Sequence, residues 1–249
     1  MNEIERNLRL LMAYDGTRYQ GWQRQKNAPT VQGAIEDVLF RIGQKNLSLI
    51  GSGRTDAGVH AWGQVANFKT SSLLPLSKME QALRALLPKD ILIRQVQETS
   101  LDFHARYSSR AKIYDYLICN GRRGLPFYRQ YVWTVEEPLD WEGIKSGLTL
   151  LTGRKDFSSF QTQGSEVAHT ERTLFQTALS PLPWGGFRLR FKADGFLRHM
   201  VRNMVGLLIR VGRGRVSLRE LEAIIQSKDR SQAGEMAPAH GLYLRKVIY

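Results

Sequence analysis

The pattern of hydrophobic and polar positions divides the first hundred residues into strands of period two and helices of period 3.6. It predicts strands at 8–14, 47–50, 64–69 and 91–96, and helices over 31–42 and 77–87. The resulting order, β-α-β-β-α-β, is that of a ferredoxin-like split unit. We therefore expect residues 1–105 to form an N-terminal α+β domain.

The second half of the chain has a similar α+β pattern after a connector of residues 102–110. The predicted elements are a strand at 111–120, a helix over 141–151 after the cap Asp140, a long polar loop at 156–172, a strand at 187–192, a helix over 196–211, a further helix from 217 and a final strand. A basic turn is expected at 121–124. Residues 106–249 are thus predicted to form a second domain with mainly antiparallel strands.

Helix starts are signalled by capping residues. Thr30 is expected to cap the first helix, because a hydroxyl at this position accepts a hydrogen bond from a free backbone amide. Two pairs, Ser77 with Glu80 and Ser217 with Glu220, have the spacing of a capping box. We expect both pairs to begin helices.

The segment Gly53–Ala61, with the sequence GRTDAGVHA, reads as a loop between two strands. It combines the guanidinium of Arg54, the carboxylate of Asp56 and the imidazole of His60 with glycines that let another molecule approach the backbone. Such groups form active sites, but Gly/Asp clusters also form ordinary polar turns. The residues of this segment alone favour the turn.

A resemblance changes that interpretation. The nine contiguous residues GRTDAGVHA resemble the catalytic motif of the TruA family of tRNA pseudouridine synthases, whose nucleophile corresponds to Asp56. Three further segments are similar to motifs of that family: the segment around Thr17–Arg24, the segment FLRHMVRN at 196–203 and the closing segment APAHGLYL at 237–244. The resemblance therefore covers nearly the whole chain.

The resemblance implies roles for individual residues. Tyr114 corresponds to the family's active-site tyrosine, and Arg202 to the arginine that pairs with the catalytic carboxylate. Arg54, Tyr114, His60 and Leu244 are implied as substrate-binding residues. By its spacing alone, Tyr114 on the strand at 111–120 would more simply be a sheet-packing residue. By its residues alone, the Thr17–Arg24 segment suits either stacking on RNA bases or a core filled by Trp22, and its resemblance to the family's segment favours the RNA contact.

The charge balance indicates a polyanionic partner. The chain has 36 Lys+Arg against 23 Asp+Glu, a net charge of +13, and such a field attracts nucleic acid. It contains no apolar run of the roughly 18 residues that a membrane span requires, and its first residues do not resemble a signal peptide. The single cysteine, Cys119, is compatible with a reducing compartment. We therefore expect a cytoplasmic protein that binds no membrane.

Three kinds of protein are considered as explanations of these sequence features. A uridine isomerase needs a carboxylate such as Asp56, either to attack the ribose or to remove a neighbouring proton, and the sequence leaves both routes open. A non-catalytic RNA-binding module explains the net charge but not the carboxylate. A metal-dependent hydrolase is not favoured, because the five histidines have no ligand spacing and no C-x-x-C occurs. No nucleotide-binding motif is present either.

The resemblance completes the prediction. It implies two ferredoxin-like domains that flank a basic RNA-binding cleft, with tRNA as the substrate. The expected reaction is the isomerisation of uridines at positions 38–40 in the anticodon arm, carried out by a homodimer without a cofactor or a metal.

Overall fold

A computed structural model describes residues 5–44, 47–121, 126–162, 164 and 169–249 of the chain. In these ranges it contains ten strands and five α-helices, a mixed α+β architecture. In chain order these are β1 (Arg6–Tyr14), α1 (Val31–Arg41), β2 (Ile50–Gly51), β3 (His60–Thr70), α2 (Leu76–Leu86), β4 (Ile91–Thr99), β5 (Ala111–Asn120), β6 (Trp133–Val135), α3 (Trp141–Leu151), β7 (Gly153–Asp156), β8 (Glu171–Pro181), β9 (Gly186–Ala193), α4 (Met200–Gly212), α5 (Leu218–Ser227) and β10 (Leu242–Ile248). The basic turn predicted at 121–124 lies mostly outside the described residues.

The first of two compact units comprises Met1–Arg110 together with Tyr243–Tyr249. Its strands follow the order β4-β1-β3-β10, and β2 pairs antiparallel with the C-terminal half of β3. β1 pairs antiparallel with both β3 and β4, whereas β10 pairs parallel with β3. The β-α-β-β-α-β order predicted for this part of the chain is therefore observed.

The second unit comprises Ala111–Leu242, with strands in the order β5-β9-β8-β7. All pairs along this order are antiparallel, and the short β6 pairs parallel with β5. Helix α3 contacts β8, α4 and α5. The predicted division had placed the whole C-terminus in the second domain, whereas the last strand lies in the first unit because its hydrogen bonds join it to β3.

Several helix starts follow the sequence signals. The Thr30 hydroxyl accepts from the Gly33 amide, Asp140 caps α3 through the Gly143 amide, and Ser217 with Glu220 forms a complete capping box. The capping box predicted for Ser77 and Glu80 is wrong. Helix α2 starts one residue earlier, after Pro75, and the Glu80 carboxylate accepts from the Val96 amide of β4 instead.

Two predicted boundaries also need correction. Helix α4 begins at Met200 and not at residue 196, because His199 adopts a left-handed conformation with φ of 63° that cannot continue a helix. Residues 156–172 were predicted to be one polar loop, but β7 ends at Asp156, a short 3-10 helix covers Ser158–Phe160, and β8 begins at Glu171. Residues 163 and 165–168 of this segment lie outside the described part of the chain.

Candidate active site

The loop that carries Asp56 connects β2 to β3 in the first unit, and the segment after β1 holds it in place. The Trp22 amide donates to the Thr55 carbonyl at 3.0 Å, and the Gly58 amide donates to the Tyr19 carbonyl at 3.3 Å. A third hydrogen bond, 2.8 Å long, joins the hydroxyls of Tyr14 and Thr55. The residues on either side of Asp56 are therefore tied to a neighbouring segment.

Two glycines make this close approach possible. A Cβ atom on Gly21 would lie 2.6 Å from the Thr55 carbonyl oxygen, and one on Gly16 would lie 2.0 Å from the Val59 oxygen. Real Cβ atoms do not approach a backbone oxygen so closely. Gly21 also has a φ of 91°, a conformation that side-chained residues rarely adopt. The backbone of the Asp56 loop therefore requires glycine at both positions.

Consecutive side chains of the loop differ in their exposure to solvent. Thr55 is buried, Asp56 is half-buried and Arg54 is exposed. Burial raises the pKa of the Tyr14 hydroxyl that contacts Thr55, while hydrogen bonds with Thr55 and Gln64 lower it in part. Tyr14 is thus a neutral partner for the loop. One buried hydroxyl pair thus holds the loop beside the half-buried Asp56.

The loop is also fixed where it enters β3. His60 is buried, its Nδ1 accepts from the Gly16 amide at 3.0 Å, and its ring stacks on Tyr243 of β10 with centroids 4.7 Å apart. Leu244 is fully buried opposite Ala61. The structure thus shows the packing of His60 and Leu244 inside the first unit, and the substrate contacts predicted for them stay predictions.

The aromatic segment at 17–24 holds the loop instead of offering its large rings to solvent. Trp22 is only 2% exposed, and a Cβ on Gly51 would lie 2.6 Å from its indole ring. Tyr19 is also buried, and its hydroxyl donates to Asp90 at 2.6 Å. The resemblance favoured an RNA contact for this segment, whereas the structure places the Trp22 ring in the core.

Tyr114 lies in the middle of β5 in the second unit, opposite Phe191 of β9. It is nearly buried, and its ring meets that of Phe196 edge-on with centroids 5.0 Å apart. The next residue, Asp115, accepts two hydrogen bonds from Arg190 of β9, at 2.6 and 2.7 Å. This paired carboxylate and the Phe196 ring fix the strand and the side chain of Tyr114.

Arg202 lies in the first turns of α4 and binds the segment that leads to the closing motif. Its Nε donates to the Ala237 carbonyl at 2.8 Å, and the Ala237 amide donates to the Arg202 carbonyl. The Tyr116 hydroxyl donates to the next carbonyl, that of Pro238, at 2.7 Å. Burial raises the pKa of Tyr116 and the positive charge of Arg202 lowers it in part. The two side chains thus anchor the same segment.

Asn203 and Gly206 of α4 contact neighbouring segments of the second unit. Asn203 is buried, donates to the Phe160 carbonyl and accepts from Arg230. At Gly206 a Cβ would lie 2.0 Å from the Glu235 oxygen, so the segment before residue 237 rests directly on the helix. The sequence did not indicate the contacts with residues 230–238, because this segment carries no periodic pattern.

The predicted site residues therefore fall into two groups. The first unit contains Arg54, Asp56, His60 and Leu244, and the second contains Tyr114 and Arg202. The sequence did not single out Tyr14, Thr55 and Tyr116 as supports of these residues. Among the described residues, no group of three or more His, Cys, Asp or Glu side chains could hold a metal ion, and no helix is long and apolar enough to cross a bilayer.

Comparison with known proteins supplies the family. A profile described as tRNA pseudouridine synthase matches residues 10–108 and 148–249 of the chain. The chain belongs to the tRNA pseudouridine synthase family. Its reaction is accordingly the isomerisation of uridine to pseudouridine in tRNA.

Individual relatives are similar over almost their full length. The chain is 42% identical to a tRNA pseudouridine synthase A of Thermoanaerobacter sp. (strain X514) over 98% of this chain and 100% of the relative. It is 43% identical to proteins of Acetivibrio thermocellus and Desulfotalea psychrophila, named tRNA pseudouridine synthase A and A 1, with the same coverage.

The two ranges that the family profile matches contain most of the predicted site residues, namely Arg54, Asp56, His60, Arg202 and Leu244. Tyr114 lies in the stretch between the two ranges. The role of Tyr114 thus depends on the motif resemblance and on its position on β5.

Proposed function

We propose that Asp56 is the catalytic carboxylate of an enzyme that modifies uridines 38–40 in the anticodon arm of tRNA. The observation that carries the proposal is the geometry of its loop. Three hydrogen bonds and two close glycine contacts fix the backbone around Asp56, while its side chain stays partly accessible. A catalytic group held in this way loses little conformational freedom when it meets the reacting atoms.

The proposed reaction breaks the bond between ribose C1′ and uracil N1, turns the base and joins C1′ to C5. Asp56 acts on the ribose by one of two routes: it attacks C1′ and is displaced when C5 joins C1′, or it removes the proton on C2′ to give a glycal and returns that proton when the new bond forms. The proton on C5 is then lost and N1 gains one, so atoms and charge balance without an oxidant or a reductant. Tyr114 is proposed to hold the base and to take or relay the C5 proton.

The two arginines are proposed to have different roles. Arg202 is fixed on α4 by its bond to the Ala237 carbonyl, which suits a stationary charge beside the carboxylate. Arg54 is exposed in the glycine-rich loop, which suits entry into the RNA when the target base leaves the stack. His60 and Leu244 are proposed to contribute to substrate binding beside the loop.

The larger assembly is part of the same proposal. Two ferredoxin-like domains would flank a basic cleft for the tRNA, and the protein would act as a cytoplasmic homodimer. The net charge of +13 supports a polyanionic substrate. No cofactor or metal enters the proposed reaction.

The division between the two arginines is testable through pH–rate profiles. The variant Arg202→Met should move the acid limb of the profile to higher pH, because a cation that favours the ionised carboxylate is gone. The variant Arg54→Ala should leave the acid limb in place and lower the rate about tenfold or more on folded tRNA, since unstacking a base costs a few kcal/mol.

A second substrate separates the two roles further. On an RNA whose target uridine is already unpaired, the defect of Arg54→Ala should be smaller, whereas that of Arg202→Met should not change. If Arg54→Ala shifts the acid limb and Arg202→Met does not, the two roles are reversed.

The function itself is tested by incubating the purified protein with an unmodified tRNA transcript in the presence of a chelator. Nucleoside analysis should show pseudouridine formed at the expense of uridine. A protein that binds the transcript without forming pseudouridine would be the non-catalytic RNA-binding module. Turnover that stops with the chelator would contradict the proposed metal-free reaction.

A further inference from the structure

A series of side chains with contacting rings leads from the end of the Asp56 loop to the surface of the first unit. His60 stacks on Tyr243 with ring centroids 4.7 Å apart, and Tyr243 contacts Trp62 at 5.4 Å. The guanidinium of Arg245 lies 4.6 Å from the centre of the Trp62 ring. The series arises because β3 and β10 run parallel, with Tyr243 opposite His60.

Trp62 differs from its neighbours in the series by its exposure. Its relative exposure is 44%, whereas those of His60 and Tyr243 are 1% and 6%. A tryptophan usually buries most of its surface. Nothing in the proposed reaction uses this side chain. The exposed indole therefore needs an explanation of its own.

The surroundings of Trp62 are cationic. Arg94 and Arg245 are both exposed, and Arg94 Nη1 donates to the Trp62 carbonyl at 3.0 Å. These two residues and Trp62 form what we call the Trp62 patch. Aromatic rings serve as stacking surfaces for unpaired bases, and neighbouring cations pair with the phosphates. A protein partner with an apolar surface would gain little from two adjacent cations.

We propose that the Trp62 patch binds a nucleotide of the substrate RNA close to the target uridine, by stacking a base on Trp62 and pairing its phosphates with Arg245 and Arg94. This inference rests on the proposed function, since it assumes a tRNA substrate at Asp56. Trp62 follows Asp56 by six residues, so the two lie at most about 20 Å apart. That distance corresponds to about six base steps at 3.4 Å each, which keeps the nucleotide within the same arm.

The test measures the affinity of the full chain for tRNA and for the isolated anticodon arm. Alanine replacement of a stacking aromatic costs about 1–3 kcal/mol per base, so Trp62→Ala should weaken binding to both RNAs about tenfold. Trp62→Phe, which keeps a ring, should stay within about threefold of the wild type. The matched control is Phe40→Ala, which removes an exposed aromatic of the same unit, 65% exposed on α1, and should not change the affinity.

Salt dependence separates stacking from charge. Arg245→Gln should reduce the slope of log affinity against log salt by about one, as expected for one lost phosphate contact. Trp62→Ala should leave that slope unchanged, because a stacked base releases no counterion. The Arg245→Gln variant also keeps the inference testable if Trp62→Ala lowers the melting temperature.

Three results would overturn the inference. They are wild-type affinity of Trp62→Ala, an equal loss in Phe40→Ala, and an unchanged salt slope in Arg245→Gln. A Trp62→Ala variant that changes its oligomeric state and not its intrinsic RNA affinity would assign the patch to a protein interface instead. Failure of the proposed function would look different, because the wild-type protein itself would then form no pseudouridine.

Discussion

Replacing Asp56 by Asn is expected to abolish pseudouridine formation while tRNA binding persists. The amide has nearly the same shape as the carboxylate, so the loop held by Thr55 should keep its conformation. It can neither attack the ribose nor accept a proton, and loss of such a group lowers rates by about 10³-fold or more. The single-turnover rate on unmodified tRNA and the dissociation constant are the two measurements.

The matched control is Asp102→Asn, the same change at an exposed carboxylate in the connector of the first unit. That variant should keep wild-type turnover. Appreciable turnover by the Asp56→Asn enzyme would refute the catalytic assignment, and a loss of tRNA binding would show that the substitution had damaged more than the chemistry.

The second large effect is expected at a residue that takes no part in the chemistry. In Gly21→Ala the new Cβ would lie 2.6 Å from the Thr55 oxygen and 3.2 Å from the Asp56 carbonyl carbon, so the Asp56 loop must move. Displacing a catalytic group by about 1 Å can cost about 100-fold in rate. We therefore expect kcat to fall about 100-fold, measured with tRNA at saturating concentration.

A second glycine provides the control for backbone strain. Gly43 has a φ of 89°, close to the 91° of Gly21, but a Cβ there would have no atom within 4 Å. Both alanine variants should lose about 1 kcal/mol of unfolding free energy from the unfavourable φ. Only Gly21→Ala should lose activity, and equal kcat values in the two variants would show that the loop tolerates displacement.

Local pattern was enough to predict most elements of the fold. Strand β5 and helix α3 lie at the predicted residues because alternating and helical periodicities are local properties. The errors occurred where a tertiary contact competes with a local signal. Glu80 has capping-box spacing, but its carboxylate accepts a hydrogen bond from the Val96 amide of β4. The helix predicted from residue 196 begins only at Met200, after the left-handed His199.

The candidate site was predictable only in part for the same reason. The motif around Asp56 is contiguous, so its resemblance to a catalytic motif could be seen in the sequence, although its residue types alone favoured a turn. The supports of that motif come from distant segments: Tyr14 and Gly21 lie more than thirty residues before the loop. Their contacts with Thr55 depend on the pairing of β1 with β3, which no local pattern specifies.

The most direct test of the central claim is to map pseudouridine at single-nucleotide resolution in an unmodified tRNA transcript after incubation with the protein. Transcripts that carry one uridine each at position 38, 39 or 40, and one with none at these positions, would be compared for the wild type and for Asp56→Asn. The wild type should modify the first three and leave the fourth unchanged, and Asp56→Asn should modify none. Modification of the fourth transcript, or of any transcript by Asp56→Asn, would contradict the claim.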